Sequence, residues 1–296
     1  MKNNGLNLEL EKLHRSQEDW VFGALSKDCI ADIPESDRDL YLPEGERQNI
    51  GEEKMDCATR GPINILETKF SWLYANHLIK EENRKWLRER GYVNAKGKIE
   101  FSDRFIAVLS GTDPALGGNS LKAPIDAIHT YGLIPKSMLP QCESQAEYYD
   151  KSKITPLMMS LGEESKSRFP INYEIVYDIH FKELLKDDMI DVAGHAWVPP
   201  VDGEYKRVEN PPNHCFIIYK TPAYYAFDNY IDVADGDYVK KLAPDYDMLD
   251  YGYRLIVSEA PQAIVEKPQG VFWKRVLQWL RKQNSIIKWF YNEKSN

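Results

Sequence analysis

The chain has 296 residues, of which 43% are apolar and 28% charged, with 18 Tyr and 7 Trp. It is too rich in core-forming side chains to stay disordered, and long enough for one sizeable domain with extensions or two small ones. A net charge of -8 sets the average surface against phosphates, so no nucleic-acid partner is expected.

Other classes fall away on pattern. No stretch approaches the roughly 20 apolar residues of a transmembrane helix. The opening MKNNGLNLELEKLHRSQEDW lacks the hydrophobic run of a secretory signal, which implies a cytoplasmic setting. The four cysteines, Cys29, Cys57, Cys142 and Cys215, form no C-x-x-C pair and read as free thiols, with no metal or cofactor expected.

In chain order, residues 1–45 form a polar extension with a short helix over Leu6 to Leu13 and an extended stretch ending in Tyr41-Leu42-Pro43. Ile63, Leu66, Phe70, Leu73 and His77 recur at helical steps and predict a helix to about Ile79. Pro62 is difficult to place inside a helix beginning at Cys57, so the regular helix is expected to start at Pro62 with Cys57 in a preceding turn. Glu81 to Arg90 predicts an exposed helix ended by Gly91, and Ser102 caps another through Leu109. Gly111 to Ser120 is a loop, Ala123 to Tyr131 a helix stopped by Gly132, and 141–168 a polar stretch. Strand-like runs then follow at Tyr173 to Ile179, Ile190 to Val198, Cys215 to Tyr219, Ala223 to Phe227 and Tyr253 to Val257, with a short helix over Phe181 to Asp187. Helices lead and a sheet follows, an α+β arrangement.

Three groups along this order carry chemistry. Cys57 follows Asp56, which can cap a first helical turn; a thiol there becomes a better nucleophile near an imidazole. Alone it reads equally as a buried core thiol. Gln48 stands upstream, where its amide could serve an oxyanion together with the backbone N–H of Cys57. His214 opens a strand, with Cys215 expected to face the other way into the core. Asp228 follows by fourteen residues, enough for one hairpin to bring it beside His214 as the acceptor that fixes the imidazole tautomer.

Met55-Asp56-Cys57-Ala58-Thr59, Gln48-Asn49, Asn213-His214-Cys215-Phe216-Ile217 and Ala226-Phe227-Asp228-Asn229-Tyr230 resemble, in order, the nucleophile, oxyanion, histidine and Asn-Ser-Trp blocks of the papain-like cysteine peptidases. Phe101 to Phe105, Gly117-Gly118 and Gly132-Leu133-Ile134 are similar to the segments between them. The likeness covers about 46–260. It departs from the family in Ala58 for the aromatic after the nucleophile, in a Gln48 to Cys57 gap three residues longer, and in Asp228 for Asn.

The resemblance implies a papain-like domain over 46–262, with a helical half (46–168), an antiparallel β half (169–262) and an active-site cleft between them. It implies a Cys57-His214-Asp228 triad hydrolysing peptide bonds, Gln48 at the oxyanion and Tyr230 shielding the triad. Gly117 and Gly118 would pair with an extended peptide or protein substrate, and His195 and Trp197 would stand near the cleft, where a core role for both fits equally. Two alternatives remain: a catalytically weak structural or interaction protein of a larger assembly such as a viral particle, and a transglutaminase-like acyltransferase. A metal site of His195, His214 and Cys57 ranks last. Beyond these, 268–296 predicts a basic, aromatic amphipathic helix, whose stretch 271–291 could pack on its own domain, bind a protein partner or lie on a membrane surface.

Overall fold

Helix and sheet divide between the two halves of the chain in the computed structural model, which describes residues 5–16, 19–25, 29–45, 47–208, 211–231 and 237–260. The helix expected over 271–291 lies outside these. The first half holds β1 (Gly5–Leu6), α1 (Leu8–His14), α2 (Glu35–Tyr41), α3 (Cys57–Ala75), α4 (Glu81–Glu89), α5 (Asp103–Ser110), β2 (Gly118–Asn119), α6 (Lys122–Tyr131), α7 (Gln145–Tyr148) and α8 (Pro156–Arg168). Then come β3 (Ile171–Tyr177), α9 (Phe181–Leu184), β4 (Ile190–Gly194), β5 (His214–Lys220), β6 (Tyr225–Phe227), β7 (Val239–Lys241) and β8 (Tyr251–Val257). Strands β3-β8-β4-β5-β6-β7 form one sheet in that order, antiparallel throughout, while β1 and β2 make a separate parallel pair. Among the described residues no helix is long and apolar enough to cross a membrane.

Helix α3 organises the molecule. Every residue from Cys57 to Leu73 is buried, so the helix is enclosed all round rather than on the one face its apolar spacing suggests. Several of its polar side chains are bonded: Glu67 accepts the Phe101 N–H at 2.7 Å, Ser71 Oγ the Ile99 N–H at 2.9 Å, and Thr68 donates to the Asn64 carbonyl at 2.7 Å. The expected boundaries shift. The helix starts at Cys57 with Pro62 inside it and ends at Ala75, not Ile79, because His77 adopts a left-handed φ of 58°. Pro62 removes one internal bond, but packing from β5, β4, α2, α5 and α6 holds the turn closed.

Two further expectations are corrected. The stretch before Pro43 is helical, because Arg38 turns inward and spans the halves, donating to the carbonyls of Ile33, Leu185 (2.7 Å) and Tyr219 (2.8 Å). The polar stretch 141–168 contains α7 and α8. Thr155 caps α8 at the Met158 N–H, and its buried face is Met158, Leu161, Gly162 and Ser165, where two small residues disguise the helical period. Helix α4 buries Asn83, Trp86 and Leu87 and is only partly exposed.

A buried charge cluster fastens α3 to the sheet. Asp188 Oδ2 receives Lys69 Nζ at 2.6 Å and Arg254 Nε at 2.7 Å, and Arg254 reaches Asp32 at 2.7 Å and Glu174 at 3.4 Å. Burial pushes the Asp188 carboxyl up, but Lys69 and Arg254 outweigh it and hold it below the usual carboxylate range. Asp188→Asn leaves two cations underpaired in the interior and should cost about 3–5 kcal/mol in urea unfolding near neutral pH. Because the folded carboxyl is the stronger acid, its contribution is present above the unfolded value of about 3.9 and is lost as pH falls further. The gap between parent and variant should therefore shrink in acid.

Candidate active site

The segment before α3 turns sharply, with Met55 at a φ of 55° and Asp56 at the N-cap position. Cys57 is thus the first residue of a long buried helix, where free N–H groups and the helix dipole favour an anion. Asp56 does not cap through its side chain, contrary to expectation. Its oxygens are taken by Arg60 Nε at 3.0 Å and the Tyr148 hydroxyl at 2.6 Å, which lock the first turn from behind.

Strand β5 brings its first residue to the same point. Cys57 and His214 are in side-chain hydrogen-bonding contact, and His214 Nε2 lies 2.7 Å from Asp228 Oδ2. With Nε2 committed to the carboxylate, Nδ1 is the nitrogen left for sulfur. Asp228 follows β6, which pairs antiparallel with β5. Cys57, His214 and Asp228 are 1%, 1% and 2% exposed.

Electrostatics favour the ion pair within this relay. Burial raises the Cys57 thiol, but hydrogen bonds from the Cys215 thiol and backbone N–H and the charge of His214 outweigh it, bringing it down to about 7. Burial would lower His214, yet the Asp228 carboxylate and Cys57 push it well above the ordinary imidazole value. Cys215 is buried as expected, but it bonds Cys57 instead of facing away from the site; burial lifts its own thiol, so it stays protonated as a donor. Asp191, also buried and without a hydrogen bond among the described residues, is pushed well above the carboxylate range by burial and then by Cys57 and Glu11.

The remaining expected residues surround this relay in different ways. Trp197 does not stand free as a cleft wall: its indole N–H donates to Asp228 Oδ2, and its ring meets those of Tyr205, Phe216 and Tyr246. Tyr230 lies edge-on to His214 at 5.8 Å, with its hydroxyl bonded to Glu53 and Asn49. Gln48 is fully buried; Nε2 donates to Glu53 at 2.7 Å and Oε1 has no hydrogen bond among the described residues. Its backbone N–H reaches the Asn229 carbonyl at 3.0 Å, and Asn229 Oδ1 accepts from Asn64 of α3 at 2.6 Å. His195 is 2% exposed, an interior ring edge-on to that of Tyr246.

Gly117 has a φ of 79°, Gly118 a φ of 107°, and Gly118 pairs with Gly5. No three His, Cys, Asp or Glu side chains cluster as metal ligands among the described residues, so His195 does not join Cys57 and His214. Sequence reading missed Cys215, Asn229 and Gly5 as neighbours of the site. Only the glycine in an otherwise helix-forming lead-in offered a local signal.

An ultraviolet thiolate titration, with the Cys57→Ala trace subtracted, should give a midpoint near 7. His214→Ala removes the cation but leaves the burial, so the midpoint should move upward, past that of an ordinary thiol at about 8.5.

No known family model matches the sequence, and no curated protein does. Solved structures do. One, from work on the mite allergens Blo t 1 and Der p 1, is 10% identical, covers 87% of this chain and 79% of its own, and has a TM-score of 0.50. The Amb a 11 cysteine protease of ragweed pollen, in its proform, is 11% identical over 86% and 74%, with a TM-score of 0.50. A procathepsin B of Trypanosoma congolense is 9% identical over 83% and 84%, again at 0.50. With a helical first half and an antiparallel sheet in the second, and a likeness that spans more than four fifths of its length, this chain has the fold of the papain-like cysteine peptidases.

Proposed function

We propose that the protein is a cysteine peptidase working through Cys57, His214 and Asp228. The observation that carries the reading is the buried chain of contacts from the Cys57 thiol through His214 to Asp228. A merely packed thiol has no need of an imidazole held by a carboxylate.

The Cys57 thiolate attacks the amide carbonyl carbon, forming a C–S bond as the carbonyl electrons move to oxygen. The His214 imidazolium gives its proton to the nitrogen as the C–N bond breaks and the amine leaves. Neutral His214 then takes a proton from water, whose oxygen displaces the thiolate from the acyl-enzyme. Asp228 and the Trp197 indole that donates to it hold the ring through both steps. The Cys57 N–H at the start of α3 is one oxyanion donor, and the second proton of Gln48 Nε2, beyond the one given to Glu53, is the other. Gly117 and Gly118 offer the backbone edge for an extended peptide.

A second reading, a protein on the same scaffold without turnover, is favoured by the burial of Cys57 beneath Gly5. Labelling with a peptidyl electrophile separates the two. The peptidase reading expects His214-dependent modification of Cys57, and indifferent labelling of all four cysteines would sink it. Peptide-library hydrolysis, assayed in the full chain and in one lacking residues 1–15, should vanish in Cys57→Ala and fall about 10²–10⁴-fold in His214→Ala. Asp228→Ala should lower kcat more than it raises KM.

A further inference from the structure

Strand β5 brings a second sulfur to Cys57 as well as an imidazole. Its residues alternate in direction: Cys215 and Ile217 join the core that holds α3, while Phe216 and Ile218 join a separate cluster. Cys215 is therefore aimed at the first turn of α3, where its thiol and its backbone N–H both bond the Cys57 sulfur. Two bonds from one residue place that sulfur beside the Cys215 side chain, the approach a disulfide needs. The strands lie close to the helix here: Ala193 of β4 stands opposite Cys215, and a Cβ on Gly61, one turn along α3, would meet Asp191 Oδ1 at 2.0 Å.

The four thiols differ in chemistry. Cys57 alone is drawn down, by Cys215 and His214 against its burial, while burial pushes Cys29 up to about 11 and Cys142 and Cys215 upward too. Cys29 and Cys142 donate their S–H to the carbonyls of Ala31 and Ser144, each at 3.4 Å. A peroxide oxidises the thiolate first, and the oxidised sulfur is then attacked by a thiol already beside it. In this chain those two roles fall on Cys57 and Cys215. Each is 1% exposed, which selects an oxidant of two heavy atoms, hydrogen peroxide, over a bulky disulfide.

We propose that Cys57 and Cys215 form a peroxide-reactive dithiol, in which Cys57 is the sulfur oxidised and Cys215 the thiol that resolves it into a reversible disulfide. The Cys57 thiolate attacks one peroxide oxygen, the O–O bond breaks, and the His214 imidazolium protonates the departing hydroxide to water, leaving Cys57 as a sulfenic acid. The Cys215 sulfur then attacks the Cys57 sulfur, the S–O bond breaks, and the hydroxyl leaves as a second water with the Cys215 proton. The two sulfurs lose two electrons and the peroxide gains them. While the bond stands Cys57 cannot attack a carbonyl, and a reducing thiol restores it. The inference rests on reading Cys57 as the thiolate of the relay and adds a control to the proposed peptidase.

The test weighs sulfur and not turnover. The full chain, reduced and freed of reductant, is treated near neutral pH with a few equivalents of hydrogen peroxide, its remaining thiols are blocked, and its tryptic peptides are analysed by mass without reduction. Residues 55–60 should appear joined to 208–220, the free thiols should fall from four to two, and dithiothreitol should reverse both. His214→Ala should slow the joining about tenfold or more, because less of Cys57 is thiolate. In Cys215→Ala the same dose should leave Cys57 as a dimedone-reactive sulfenic acid that passes on to sulfinic acid, which dithiothreitol does not reduce. Sulfinic acid forming at Cys57 in the parent as readily as in Cys215→Ala, a bridge from Cys57 to Cys29 or Cys142, or no loss of thiols would overturn the dithiol. A reversible bridge in a chain that hydrolyses no peptide keeps the dithiol and removes the peptidase, whereas hydrolysis without a bridge does the opposite.

Discussion

Everything in this molecule turns on the first turn of α3 meeting the first residue of β5. An anionic sulfur and an imidazolium in a water-poor interior are costly unless every polar atom is answered. Here the answers come from several directions: the Cys215 N–H and thiol on sulfur, Asp228 on the far imidazole nitrogen, and the Trp197 indole on Asp228. Take away one and the rest are left as uncompensated buried charge, so the relay behaves as a unit.

The geometry of that meeting is set by buried polar contacts remote from it. Arg38 ties α2 to β5 through the Tyr219 carbonyl, and Lys69 and Arg254 converge on Asp188 to fix α3 over β8. Gly61 has a further constraint: a Cβ there would meet Asp191 Oδ1 at 2.0 Å, so only glycine lets β4 come this close to the helix that carries Cys57. Rigid supports of this kind hold a thiol and an imidazole in register within fractions of an ångström, which a surface loop could not do.

The same closeness explains how thoroughly the site is covered. A backbone without a side chain, Gly5, reaches the sulfur, and the edge that could receive a foreign strand already holds one. The thiol–imidazole contact and the covering of Cys57 therefore arise from one packing arrangement.

Local rules were legible where they acted alone. Ser102 caps α5 at the Phe105 N–H, Gly111 and Gly132 end α5 and α6 with positive φ, and the hydrophobic runs of β3, β4, β5 and β8 fall close to where alternation put them. They failed where a distant partner decided the outcome, as in α2, drawn in by Arg38, or α8, whose inner face is half Gly162 and Ser165. The sequence by itself determined the helical half, the sheet half and the order of thiol, imidazole and carboxylate, because chain order and side-chain periodicity are properties of one dimension. Only tertiary structure decided that Cys215 bonds Cys57, that Trp197 holds Asp228 and that Gly5 lies on the sulfur. Such contacts join residues far apart in the chain, and they depend on strand register and on the space left between elements, which no local pattern encodes.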